Sequence, residues 1–127
     1  MIPNLEVSYQ RIANGIVECI PYEWEDALVT AIVYPESISF EGEFRTTAGE
    51  IRSLSVSMEL NRAFRELREK FEAAGQPLWG QATFVLDSRG KFEMKWGYEN
   101  CDENGDTIWD ADQWRRRQEE RDKRLGL

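Results

Sequence analysis

The chain has 127 residues, enough for one core and too few for two. Its composition, 41% apolar, 31% charged and 12% aromatic, excludes disorder over most of the length, and no stretch approaches the about 20 apolar residues that a bilayer crossing requires. Twenty-four acidic against sixteen basic side chains give a net charge of −8 with no histidine, which disfavours a general affinity for nucleic acid because each phosphate contact needs a cation.

Leu5, Tyr9, Ile12, Ala13, Ile16 and Ile20 recur at spacings of three and four. They predict an amphipathic first helix, with Asn4 as its cap and Pro21 as its end. Gly15 within it suggests close approach of another element. Residues 27–34 are rich in branched side chains and apolar on both faces, as in a central strand. After a turn at 35–37, Ile38, Phe40, Gly42 and Phe44 alternate with Ser39, Glu41, Glu43 and Arg45, so the second strand has one buried face and one wet, acidic face. A third strand spans 51–56, its alternation slipping near Ser53.

Leu60, Ala63, Phe64, Leu67, Phe71 and Ala74 form a helical stripe with Ser57 as N-cap and Gly75 as stop. Its outer side offers four charge pairs at i,i+4: Arg62 with Glu66, Arg65 with Glu69, Glu66 with Lys70, and Arg68 with Glu72. Residues 81–86 and 91–98 make a hairpin through Asp87-Ser-Arg-Gly90, and a polar loop follows from Glu99 to Asp106. Asp110 caps a last helix, a solvated rod docked by its aromatics. The fold class is α+β, in the order α-βββ-α-ββ-α, with one mainly antiparallel sheet of about five strands covered by helices on one face. Residues 1–127 form one domain, in which 101–127 is a C-terminal loop and helix of unassigned role. The start of the chain lacks a basic segment followed by an apolar one, so no secretory signal is expected and a cytoplasmic address is the default.

Common catalytic routes lack parts. Without histidine there is no ordinary triad, and Cys19 and Cys101 have no neighbours to complete a metal site, so neither catalytic nor metal residues nor a cofactor are expected. No glycine-rich phosphate loop occurs. Residues 102–106 resemble a calcium loop only superficially, since the Gly is at the wrong place and Gln113 stands where a closing Glu belongs. Trp24, Trp79 and Trp96 border apolar runs and read as core. A ligand platform of Trp96, Tyr98 and Trp109 is a weaker alternative. Charge is the strongest local signal: Glu18, Glu23, Glu25, Asp26, Glu36, Glu41, Glu43 and Glu50 fall within one stretch whose only base is Arg45.

Three segments stand in a telling order and spacing: Ile20-Pro-Tyr-Glu-Trp24; Phe64-Arg-Glu-Leu-Arg-Glu-Lys-Phe71 leading into Gly75-Gln-Pro-Leu-Trp79; and Ala82-Thr-Phe-Val-Leu-Asp-Ser-Arg-Gly-Lys-Phe92 running to Tyr98. Together they resemble the YezG-like family of bacterial immunity proteins, antitoxins paired with polymorphic toxins. Gly80 departs from the pattern, which more often has Thr there, and the tail from Cys101 is only loosely similar. The resemblance implies a non-catalytic protein that occupies a secreted toxin's C-terminal domain, frequently a nuclease. An acidic protein suits the basic cleft of such a partner, because opposite fields steer the encounter. The expected contact residues are Glu41 and Glu43, then Glu36, Glu50, Glu25 and Asp26, with a second surface at Asp102, Glu103 and Asp106. An acidic adaptor unrelated to toxins is the competing reading.

Overall fold

The computed structural model describes residues 5–21, 23–98, 101–102, 105–108 and 110–125. Its elements are α1 (Leu5–Cys19), β1 (Trp24–Val33), β2 (Ile38–Thr46), β3 (Ile51–Ser53), α2 (Met58–Ala73), β4 (Gln81–Asp87), β5 (Phe92–Gly97) and α3 (Ala111–Leu125). The strands form one sheet in the order β3-β2-β1-β4-β5, and every pairing is antiparallel. The α+β order expected from the sequence is the order found.

Period two decides which side chains reach the core. Ala27, Val29, Ala31 and Val33 of β1 face the same side as Phe44 of β2 and as Ala82, Phe84 and Leu86 of β4, and all are buried. Ile12 and Ile16 of α1 and Leu60, Ala63, Phe64, Leu67 and Phe71 of α2 close over them. Gly15 lets the two helices approach: a Cβ there would lie 3.1 Å from Leu60 Cδ1. Phe71, Trp79 and Trp96 pack as an aromatic cluster, with ring centroids 4.9–6.2 Å apart. Tyr9 packs on Phe84 and Phe92, and burial raises its phenol pKa.

Helix ends follow local chemistry. Ser57 Oγ accepts from Leu60 N at 3.1 Å, and Asp110 Oδ1 accepts from the Asp112 and Gln113 amides at 2.9 and 3.3 Å. At the end of α2, Gln76 N–H donates to Phe71 O at 3.0 Å and Gly75 N–H to Glu72 O at 3.1 Å, with Gly75 at φ +67°, the geometry that satisfies the last carbonyls. The proposed cap Asn4 lies outside the described residues.

Three expectations need correction. The third strand ends at Ser53, because Leu54 turns inward to become 4% exposed and donates its amide to Gly42 O at 2.9 Å. Three of the charges on α2 reach other elements, and a fourth bonds a neutral side chain within the helix. Glu66 pairs with Arg11 of α1, Arg65 bonds Asn61, Arg68 pairs with Asp106, and Lys70 donates to Ser8 Oγ. Finally, the helices do not share one face. α3 lies across the opposite side of the sheet, where it meets Glu41, Glu43 and Ser53, and it is held by arginines while Trp114 stays 44% exposed. Phe64, wholly buried and 5.6 Å from the Phe40 ring, ties α2 to β2. Phe64→Ala is expected to cost about 3–5 kcal/mol, read as a lower urea midpoint with an unchanged m-value.

Candidate functional site

The structure divides the acidic residues into two groups, those already paired and those still open to a partner. Glu41 and Glu43 point to the outer face as the alternation requires, yet α3 covers them. Glu41 is 17% exposed, 3.8 Å from Arg117 Nε, and accepts from Gln118 at 3.4 Å. Glu43 is 12% exposed and accepts from Arg124 Nε at 2.8 Å. The expectation that they form an open acidic face therefore fails, because cations from the C-terminal helix neutralise them. Glu25 and Asp26 share Arg45, whose pKa is raised first by its hydrogen bond to Asp26 and then by the charges of Asp26 and Glu25. Glu50 pairs with Arg52 at 2.5 Å. Half-exposed pairs of this kind contribute little to stability, but they do remove these carboxylates from one contiguous negative patch.

A concave surface does form, at the end of the sheet where three segments meet. The turn after β1 supplies Tyr34, Pro35 and Ser37; the last turns of α2 supply Arg68 and Glu72; and the loop after β5 supplies Cys101, Asp102, Gly105 and Asp106. The main cleft holds about 790 Å³ and is bordered by Gln76, Pro77, Leu78 and Tyr98. It adjoins a second hollow of about 620 Å³ through Pro35 and Asp102.

Arg68 builds this cleft. Its Nε donates to Trp79 O at 3.2 Å and its Nη2 to Gly105 O at 3.0 Å and to Asp106 Oδ1 at 3.3 Å. The guanidinium carbon also sits 5.9 Å from the Trp79 ring centroid. Arg68 and Asp106 are each only 16% exposed, so Asp106 serves as an anchor for the loop. Asp102 accepts from the Asp106 amide at 3.0 Å, and Thr107 continues the clamp by donating its amide to Val33 O at 2.6 Å and its hydroxyl to Gly80 O at 2.9 Å.

The acids left open at the rim are Glu69 and Glu72 on α2, and Glu36 stands on the turn beside it, between the lining residues Pro35 and Ser37; all three are exposed and have no ion-pair partner among the described residues. Sequence reasoning named Glu36 and missed Glu69 and Glu72, reading Glu72 as a helix-stabilising partner of Arg68. Tyr98 and Ile108, 49% and 50% exposed, add apolar surface beside the acids. Glu103 and Trp109 lie outside the described residues. No group of His, Cys, Asp and Glu suited to a metal ion occurs among the described residues.

This chain shares the family pattern over nearly its whole described length: the family described as "Immunity protein YezG-like" matches residues 5–120. The chain belongs to the YezG-like immunity protein family. It is also similar to the immunity protein YezG of Bacillus spizizenii strain W23, with 32% identity over 114 residues, covering 77% of this chain and 71% of the relative. Membership supports an immunity role. Among the described residues no helix is long and apolar enough to cross a membrane.

Glycine at position 80 has a structural reason in this member of the YezG-like family. A Cβ at Gly80 would lie 2.3 Å from Cys101 Sγ and 2.7 Å from Thr107 Oγ1, so the loop that floors the cleft occupies the space of a side chain. Gly80→Ala is expected to cost about 1–3 kcal/mol through overpacking. Limited proteolysis should then cut within 101–108 faster than in the wild type while the β1 and β4 amides keep their protection.

Proposed function

We propose that this immunity protein neutralises the C-terminal domain of a cognate secreted toxin by one-to-one binding, and that the cleft between the β1–β2 turn, the end of α2 and the 101–108 loop is the contact surface. The partner is a basic domain, a nuclease being the kind whose positive cleft this surface suits. The supporting observation is the composition of the rim. Glu69, Glu72, Asp102 and Asp106 line the cleft and the hollow beside it against two guanidiniums, Arg65 and Arg68, with Tyr98 half-exposed at its border and Glu36 exposed on the adjoining turn between the lining residues Pro35 and Ser37. An aromatic anchor inside a charged rim is the usual anatomy of a binding hot spot.

The mechanism follows from electrostatics and shape. The net charge of −8 draws a cationic domain in from beyond contact range, and the free carboxylates at the rim orient it. Tyr98 and Ile108 then exclude water at the contact. Arg68 keeps the loop in place before the partner arrives, so little ordering entropy is lost on binding. Inhibition needs only occupancy and no bond is made or broken.

The test uses the C-terminal domain of the cognate toxin, identified by co-purification with this protein. Glu36→Lys combined with Glu72→Lys should slow association about tenfold at low salt, flatten its salt dependence and weaken protection of cells expressing the toxin. Tyr98→Ala should act mainly by speeding dissociation. An unchanged on-rate, affinity and protection in the double reversal would remove the cleft as the contact surface.

A further inference from the structure

The third helix is held unlike the other two. Arg117, Arg121 and Arg124, spaced four and three apart, meet the sheet together with Gln118, and no residue of α3 is buried. Arg117 meets Glu41, Arg121 donates to Ser53 Oγ at 2.8 Å, and Arg124 donates to Glu43 at 2.8 Å. Four buried side-chain polar atoms lack a hydrogen-bond partner among the described residues, and three of them, Glu43 Oε2, Arg117 Nε and Arg121 Nε, lie in this one contact. A cavity of about 420 Å³, floored by Leu28, Ile51 and Val85, opens beside Arg124 where the helix ends. The contact is therefore ionic, incompletely satisfied and loosely filled. The apolar faces of α1 and α2 show what a permanent helix interface in this fold looks like.

We infer that α3 is a detachable ionic strap, and that the face beneath it, Glu41 and Glu43 on β2 with Ser53 on β3, is a docking surface for an arginine-bearing helix of a partner. The chain's own α3 occupies that surface in the free protein because its tether keeps it at high local concentration. A partner helix of the same charge pattern displaces it and uncovers two carboxylates that are otherwise silent. The isolated strap has little reason to stay helical, since a 15-residue helix is marginal in water. This inference does not rest on the cleft or on any toxin, so the two readings fail separately.

The experiment follows amide exchange in the full chain and binding of a labelled synthetic peptide copying residues 111–125. Raising salt from roughly 0.05 M to 1 M should speed exchange in α3 by about tenfold or more while the β1 and β4 amides hold their rates. In the full chain carrying Arg117→Glu and Arg124→Glu, α3 should lose protection at low salt. That variant should bind the peptide at least about tenfold more tightly than the wild type, and adding Glu41→Gln and Glu43→Gln should abolish the binding. The inference is overturned if α3 stays as slow as β1 in high salt. It is equally overturned if the strap-released variant, with its β1 amides still protected, fails to bind the peptide.

Discussion

A carboxylate on a sheet face must be either solvated or paired, and this fold covers part of that face. Glu41 and Glu43 sit in register with Thr30 and Leu28 on the outer side of the sheet, where water would otherwise serve them. Once α3 crosses this surface, burial of an unpaired charge would be prohibitive, so the helix has to bring cations. Arg117 and Arg124 arrive from the far end of the chain to meet that need. The choice of arginine suits the place, because its apolar stem covers sheet surface while its planar head reaches the acid. The same requirement explains why α3 lacks an apolar stripe and why the sheet can be covered on both sides without a second hydrophobic core.

Arg68 solves a comparable problem at the other end of the molecule. A loop rich in polar residues has no apolar face with which to dock, and its backbone carbonyls need donors. One guanidinium bonds the loop carbonyl of Gly105, the carbonyl of Trp79 before β4 and the Asp106 carboxylate while resting over the Trp79 ring. The loop thus becomes an extension of α2 and of the aromatic cluster below it. Gly80, stripped of a side chain, leaves the room for Cys101 and Thr107 that this arrangement uses.

What the sequence disclosed was whatever depends on nearest neighbours and periodicity. Ser57, Gly75 and Asp110 mark helix ends through bonds made within a few residues, and the alternation of β2 gave the orientation of Glu41 and Glu43 correctly. What it could not disclose was which elements meet far apart in the chain. Glu66 reads equally well as a partner of Arg62 or of Lys70, and only the packing of α1 on α2 gives it to Arg11. For α3 a signal existed: Arg117, Arg121 and Arg124 form one helical face of the sign opposite to Glu41 and Glu43. Reading the helix by its aromatics hid that face, because a core stripe is usually apolar. The acids of the cleft rim escaped for a related reason, since Glu69 and Glu72 meet Pro35 and Ser37 only when the turn after β1 reaches the end of α2.

The consequence for recognition is a separation of range from address. Internal pairing cancels Glu25, Asp26, Glu41, Glu43, Glu50 and Asp106 at close quarters without altering the sum over the chain. At distances beyond about a Debye length a partner responds to net charge, while at contact it responds to whichever carboxylates lack a cation of their own. A protein of this kind attracts basic molecules broadly and discriminates among them locally. The rim around the cleft and the strapped face of β2 can then diverge from one family member to the next, since neither carries the core. A surface freed from structural duty in this way can change to follow a changing partner while the fold beneath it stays the same.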